Sequence, residues 1–103
     1  MKNRRLELQK KLEEILGTRN VYFQPPESIK LIYPCIIYSK EPSSVNHADN
    51  IRYLTKNQYS ILVITKDQES NIPDKILNNF KYCYENQFYI SDNLYHFALN
   101  LYY

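Results

Sequence analysis

Glycine is almost absent from this chain of 103 residues, which contains one glycine and no tryptophan. Phosphate-binding loops need several glycines, because their backbone must approach the phosphate closely. The composition therefore excludes a Walker loop, a dinucleotide-binding fingerprint and a kinase-type glycine-rich loop. The one glycine, Gly17, directly follows an apolar stripe with helical spacing. Because a left-handed residue commonly ends a helix, we interpret Gly17 as a helix stop.

Cysteine and long apolar runs are also scarce. The two cysteines, Cys35 and Cys83, have no C-x-x-C spacing and lie among apolar or aromatic neighbours, which is typical of buried free thiols. The basic start of the chain, residues 1–5, is not followed by the apolar stretch of a signal peptide. The longest aliphatic run, residues 61–64, is far shorter than the ~20 residues that cross a bilayer. We therefore expect a soluble protein of a reducing compartment that makes no membrane contact.

The excess of positive charge is small. The chain has 13 Lys plus Arg and 11 Asp plus Glu, for a formal net charge of +2. A nucleic-acid-binding domain usually shows a stronger basic excess than this. The first twenty residues contain six basic and three acidic residues, so the positive charge belongs to the predicted first helix. Two interpretations of that helix stay open: a solvated charged face, or a contact with an anionic partner.

The spacing of apolar residues predicts the order of helices and strands. Leucine and isoleucine at helical spacing predict a first helix over residues 3–16. A second, short helix begins after Ser70 or Asn71, either of which can cap it, and has Pro73 in its first turn. Strands are predicted over residues 21–24, 33–40, 59–65, 82–90 and 94–103, with a possible hairpin arm over 51–55 and a turn at 91–93.

These elements predict a single small α+β domain that spans residues 1–103. The strand over 59–65 is aliphatic on both faces, so we expect it to be central. In the last strand, every second residue is aromatic or leucine. This alternation is typical of a sheet with one dry face. The predicted architecture is a mainly antiparallel sheet of four to five strands with the N-terminal helix and the second short helix packed on it.

Residues that could carry catalytic or metal chemistry are few and poorly grouped. A metal site needs three or four converging ligands, and the two candidate pairs lack a further partner at recognised spacing: His47 with Asp49, and Asp92 with His96. A Cys–His nucleophile could pair Cys35 with His47, or Cys83 with His96. No Asp or Glu is followed two positions later by lysine, which argues against a small nuclease of the Asp…(Asp/Glu)-x-Lys kind. We therefore expect no enzyme activity, no metal and no cofactor.

Tyrosine is the residue in excess, with 11 copies. Aromatic residues on strands fill cores and pair across strands without any further function. On an open sheet with basic residues, they can also stack single-stranded bases. Tyrosine is enriched in protein–protein contacts as well. Because 11 tyrosines exceed what a core of this size holds with every hydroxyl paired, we expect several at a boundary, and the near-neutral charge favours a protein partner.

The order of short motifs along almost the whole chain resembles the tail terminator, or tail completion and head–tail joining, proteins of long-tailed bacteriophages. The resemblance depends on the order of these motifs, each of which is structural. They are Leu12-Glu13-Glu14-Ile15-Leu16-Gly17, then Asn20-Val21-Tyr22-Phe23-Gln24-Pro25-Pro26, Tyr33-Pro34-Cys35-Ile36-Ile37-Tyr38, Ala48-Asp49-Asn50, Ile72-Pro73-Asp74-Lys75-Ile76, and Asp92-Asn93-Leu94 with His96.

The resemblance implies a structural virion protein and no enzyme activity. Such proteins form a ring, usually a hexamer, that caps the tail tube, ends its polymerisation and joins the tail to the head. The implied partners are further copies of this chain, the major tail tube protein and the head completion or connector protein, with a passing contact with phage DNA left open. The implied location is the tail or neck of a virion assembled in the cytoplasm of the host bacterium.

A closed ring needs two different complementary patches on each subunit. The long polar stretch 39–57, with its possible hairpin, is a natural arm for reaching a neighbouring subunit. We expect the subunit or tube interface there, at six residues: His47, Asp49, Asn50, Arg52, Tyr53 and Leu54. Tyr53 and Leu54 are the preferred contact residues, and plain hairpin packing is the alternative for both.

Three other functions stay open on the sequence. The first is a small single-stranded nucleic-acid-binding module that uses the tyrosines and the basic first helix. The second is a phage neck or connector protein of related architecture. The third is an adaptor or inhibitor domain that binds one host protein.

Overall fold

The computed structural model of the chain describes residues 4–41 and 58–103, which form two helices and one five-stranded sheet. Neither helix in these two ranges has the length and apolar character needed to cross a membrane. The predicted α+β domain is confirmed. Its elements in chain order are α1 (Arg4–Leu16), β1 (Val21–Phe23), β2 (Cys35–Lys40), β3 (Gln58–Thr65), α2 (Ile72–Asn79), β4 (Cys83–Ser91) and β5 (Leu94–Tyr102).

The sheet has the strand order β1-β2-β3-β5-β4, so β3 is central as its two apolar faces predict. β1 runs parallel to β2, and every other neighbouring pair is antiparallel. The β4–β5 hairpin turns at Asp92 and Asn93, whose φ angles of 54° and 63° are left-handed. Two left-handed residues match the twist of the flanking strands, and Asp and Asn tolerate this conformation better than most residues.

α1 ends where its apolar stripe ends. Leu8 and Leu12 are completely buried, and Ile15 and Leu16 pack at the margin of the core. Gly17 follows with a φ of +86°, and its N–H donates to the Glu13 carbonyl at 2.8 Å. A Cβ at Gly17 would meet no atom within 4 Å, so the left-handed backbone alone requires glycine here. The predicted helix stop is confirmed.

Both of the predicted capping residues lie directly before α2. Asn71 occupies the N-cap position but makes no side-chain cap, and the Ser70 hydroxyl instead accepts a hydrogen bond from the Ile72 N–H at 3.3 Å. Pro73 lies in the first turn, where its missing N–H does no harm. Ile76 of this helix and Phe80, the residue directly after it, are both buried.

The core lies between the two helices and one face of the sheet. Leucines of α1 and isoleucines of α2 pack on the inward residues of the strands, among them Ile36, Ile61 and Leu99. Two tyrosines, Tyr38 and Tyr59, are also buried here, with their ring centroids 6.0 Å apart. Because both helices pack on this face, residues 4–41 and 58–103 form two layers, and the other face of the sheet carries neither helix.

Candidate functional site

The six residues predicted for an interface, His47, Asp49, Asn50, Arg52, Tyr53 and Leu54, lie outside the described residues, as does the predicted hairpin arm over 51–55. The chain leaves β2 at Lys40 and enters β3 at Gln58. The expected interface at 39–57 therefore stays a prediction. The candidate surfaces below come from the remainder of the sheet.

The candidate catalytic pair of Cys83 and His96 is not brought together in the structure. Cys83 pairs with Leu101 across the β4–β5 hairpin, whereas His96 lies five residues along β5, about 16 Å away and on the opposite face. His96 instead stacks on Tyr89 with ring centroids 4.7 Å apart, and its Nδ1 lies 3.1 Å from the Leu94 carbonyl. In residues 4–41 and 58–103, no group of three or more metal-ligating side chains is found.

Both thiols are free and held in their protonated form by burial. Burial raises the pKa of the Cys35 thiol from 9.0 to about 11, and that of Cys83 by the same amount. Cys35 is fully buried as predicted, but Cys83 is only half-buried, because it begins the edge strand β4. A thiol with a raised pKa is a weak nucleophile at neutral pH, since the thiolate is the reactive species.

We predict that the chain loses stability in alkali through these two thiols. Their pKa is higher in the folded state, so the unfolded chain releases the protons first, and stability falls between about pH 9 and about pH 11. Urea unfolding at about pH 8 and about pH 10.5 measures the fall. The double variant Cys35→Ala/Cys83→Ala should show a clearly smaller fall between the same pH values. An equal fall in both proteins would contradict this assignment.

The sheet face opposite the helices, called the open face below, carries a cross-strand apolar row. Cross-strand pairing places Ile37, Leu62 and Ala98 side by side at the centre of this row, with Tyr22 at its β1 end. All four side chains are half-buried. A second row of the same face is polar and consists of Ser39, Ser60 and Asn100, with Tyr84 at its β4 end.

The open face carries no formal charge on its described strand residues. The residues that point to this side of the five strands include no Asp, Glu, Lys or Arg. At one end of the face, the Glu41 carboxylate accepts a hydrogen bond from the Ser60 hydroxyl. Uncharged surfaces that mix apolar, aromatic and amide groups are typical of the centres of protein–protein interfaces.

The edge strand β4 is the most exposed element of the sheet. All eight residues after Cys83 are exposed, although four of them are large and apolar or aromatic: Tyr84, Phe88, Tyr89 and Ile90. We call these four residues the β4 patch. Phe88 leans on Phe97 at 4.9 Å between ring centroids, which orders the ring without covering its outer side. A long edge strand with apolar side chains and unpaired backbone groups is a ready template for another chain.

The opposite edge, β1, is short and protected by α1. The Gln9 side-chain amide donates to the Val21 carbonyl at 2.9 Å, so this outward backbone acceptor of the edge is already used. The Arg5 guanidinium lies 4.5 Å from the centre of the Phe23 ring and covers it. The sheet therefore ends in two different edges, an open aromatic one at β4 and a protected one at β1.

The tyrosines divide between the core and the exposed surface, and the expected contact of the exposed ones with a partner stays a prediction. Tyr38 and Tyr59 are buried, and Tyr84 and Tyr89 are exposed on the edge strand. The β4 patch itself was not among the interface residues expected from the sequence. The signal for it is the run Phe88-Tyr89-Ile90, which is apolar on both faces of a strand that is the first arm of the last hairpin.

Comparison of the chain with protein-family models, with curated proteins and with solved structures finds no match in any of the three.

Proposed function

We propose that this chain is a structural subunit that closes into a ring, of six copies by its resemblance to phage tail terminators, at the end of a phage tail tube. In this role it ends polymerisation of the tube and joins the tail to the head. Its partners are further copies of itself, the tail tube protein and a head completion or connector protein, in the neck of the virion.

The observation that carries the proposal is the difference between the two edges of the sheet. A ring of identical subunits needs heterologous contacts, in which one patch of a subunit meets a different patch of the next. The strand order puts β4 at one end of the sheet and β1 at the other. Two unlike edges make the two ends of the sheet different, which is compatible with head-to-tail contacts.

The uncharged open face supports a protein partner for the remaining surface. Its apolar row is flanked by hydroxyl, amide and aromatic side chains, which can hydrogen-bond to a partner while the row packs.

A single-stranded nucleic-acid-binding module is the second candidate, because Tyr22, Tyr84 and Tyr102 lie on the open face and bases can stack on tyrosine. Phosphate groups also need lysine or arginine nearby, and the open-face strand residues include neither. Most of the basic residues within the range 1–20 lie in α1, which packs on the other face of the sheet. The distribution of charge therefore favours the ring.

We predict that the purified chain assembles into closed rings, alone or when the tail tube protein of its phage is added. Multi-angle light scattering measures the mass, and negative-stain electron microscopy shows whether rings form and whether they sit at tube ends. Tubes that grow to undefined length without the chain should stop when it is present. A chain that stays monomeric even with tube protein contradicts the proposal.

Retention on a single-stranded DNA column distinguishes the nucleic-acid-binding module from the ring subunit. Contacts to phosphates release counterions, so a nucleic-acid-binding module would bind tightly at low salt and lose affinity steeply as salt rises. We expect weak retention without a steep salt dependence.

A further inference from the structure

Two exposed apolar patches lie in different parts of the described chain. One is the β4 patch. The other is Ile32, in the segment 29–33 that connects β1 to β2. With 63% and 60% of their surface exposed, Ile32 and Ile90 are the two most exposed large hydrophobic side chains in the described part of the chain. β1 and β2, which this segment connects, lie at one end of the sheet, and β4 lies at the other end.

β4, the strand that carries the β4 patch, and the segment 29–33 contain one charge each, and the two charges are opposite. β4 contains one charged residue, Glu85, and the segment 29–33 contains one charged residue, Lys30. Both side chains are exposed, so either can meet a partner. Pairing β4 with β4 of a second copy would bring together two carboxylates and no cation. Pairing β4 with the segment 29–33 brings one carboxylate and one ammonium group together instead.

The exposure pattern of the segment 29–33 also suits an edge contact. Its residues alternate between half-buried and exposed, with Lys30 and Ile32 both on the outward side. On β4, Glu85 and Phe88 share a face, because the irregularity between Glu85 and Gln87 shifts the alternation by one residue. β4 and the segment 29–33 therefore each present a charged and an apolar side chain in the same direction.

We propose that the β4 patch of one copy packs against the segment 29–33 of a second copy of this chain, with Ile32 seated against Phe88 and Ile90 and with Lys30 near Glu85. The contact rests on the proposed ring and supplies its subunit interface. Each subunit uses both patches, one toward each neighbour, and the repeated rotation closes the ring. The β1 edge keeps its protection by Gln9 and Arg5, because the contact uses side chains of the segment that follows β1.

The test uses two variants that each block one patch, Ile32→Lys and Ile90→Lys. Both positions are exposed, so both variants should fold, and circular dichroism with thermal melting verifies this. We expect each variant alone to assemble about 30-fold more weakly than the wild type, the factor typical of a lost hot-spot side chain. Mixed together, they should form a defined dimer, because each retains the patch that the other lacks. Leu6→Lys, at an exposed apolar position of α1, is the matched control and should assemble like the wild type.

A charge exchange tests the polar half of the contact. Lys30→Glu should weaken assembly, as should Glu85→Lys, and the double variant Lys30→Glu/Glu85→Lys should recover much of the wild-type behaviour. If either single substitution only damaged the fold, the second substitution would not restore assembly. Recovery in the double variant therefore indicates a contact between the two charges.

The remaining outcomes each overturn the proposed contact. If Ile32→Lys forms wild-type rings, the segment 29–33 is not the partner of β4, although the ring itself stands. If Ile90→Lys is monomeric while Ile32→Lys still forms dimers, then β4 pairs with β4 of a second copy. If the wild type forms no ring, alone or with tube protein, the proposed function and the contact fail together.

Discussion

Replacing Leu12 by alanine is expected to lower the free energy of unfolding by about 2–5 kcal/mol. Leu12 has no exposed surface and lies in the cluster that joins α1 to the sheet. Alanine removes the buried side chain and leaves a cavity that strands on the far side cannot fill without moving. The loss is a large fraction of the stability of a domain of this size, so the variant should be partly unfolded at moderate temperature.

Leu6→Ala is the matched control for this prediction, because it makes the same chemical change in the same helix. Leu6 is 51% exposed, so the change should cost no more than about 0.5 kcal/mol. Urea unfolding of both variants, followed by circular dichroism, gives the two values. Equal losses would show that α1 does not bury the face that its apolar stripe defines.

Removing the Tyr38 hydroxyl is expected to cost about 1–3 kcal/mol, although the ring remains. Tyr38 is 1% exposed, and its hydroxyl donates to Oε1 of Gln9 and accepts from Nη1 of Arg5 at 3.4 Å. In the Tyr38→Phe variant, the Gln9 acceptor loses its partner in a half-buried position. The pKa of Tyr38 is raised, chiefly by burial and against the lowering effect of Arg5, so the hydroxyl keeps its proton at neutral pH.

The loss of stability in the Tyr38→Phe variant should depend on Gln9, which links Tyr38 to the β1 edge. The Gln9 amide also donates to Glu13 at 3.0 Å and to the Val21 carbonyl. A double-mutant cycle of Tyr38→Phe and Gln9→Met should give a coupling free energy of about 0.5–3 kcal/mol. Tyr84→Phe, on the exposed strand β4, is the control and should change stability by no more than about 0.5 kcal/mol. Additive losses at Tyr38 and Gln9 would mean that the network is not a unit.

The hydroxyl network and the ring contact are separate predictions with separate readouts. Tyr38 and Gln9 lie between α1 and the sheet, so their variants should change unfolding far more than assembly. Ile32 and Ile90 are exposed, so their variants should change assembly and leave unfolding nearly unchanged. If a variant of Tyr38 or Gln9 changed assembly, or a variant of Ile32 or Ile90 changed the free energy of unfolding, the interface and the core would be linked.

Much of the fold was predictable because its signals are local. The α1 stripe, Gly17 at its end, and the Asp92-Asn93 turn are each encoded within a few neighbouring residues. The central position of β3 was also predictable, since a strand that is apolar on both faces is typical of the middle of a sheet. The end of β4 differs by one residue from the prediction, because Ser91 pairs with Leu94 and the turn contains only two residues.

The candidate site was less predictable, because a surface depends on what packs beside each strand. The sequence pointed to the polar stretch 39–57 as an arm, and the contact residues expected there stay a prediction. The β4 patch, in contrast, consists of residues whose types suit a core. Only the strand order shows that Phe88, Tyr89 and Ile90 lie on an edge, where no further strand of the described chain covers them.

By itself, the sequence determined the class of the domain, the identity of its helices and strands, and the exclusion of glycine-dependent phosphate-binding loops. These properties follow from composition and from periodicity over a few residues, which local backbone geometry dictates. Only the tertiary structure decided that β1 runs parallel to β2 and is protected by Gln9, and that Cys83 and His96 lie on opposite faces. It also decided that the edge strand β4 exposes aromatic side chains in the described part of the chain. These properties depend on pairings between residues distant in the chain, and the free energy of packing the whole sheet against both helices selects them.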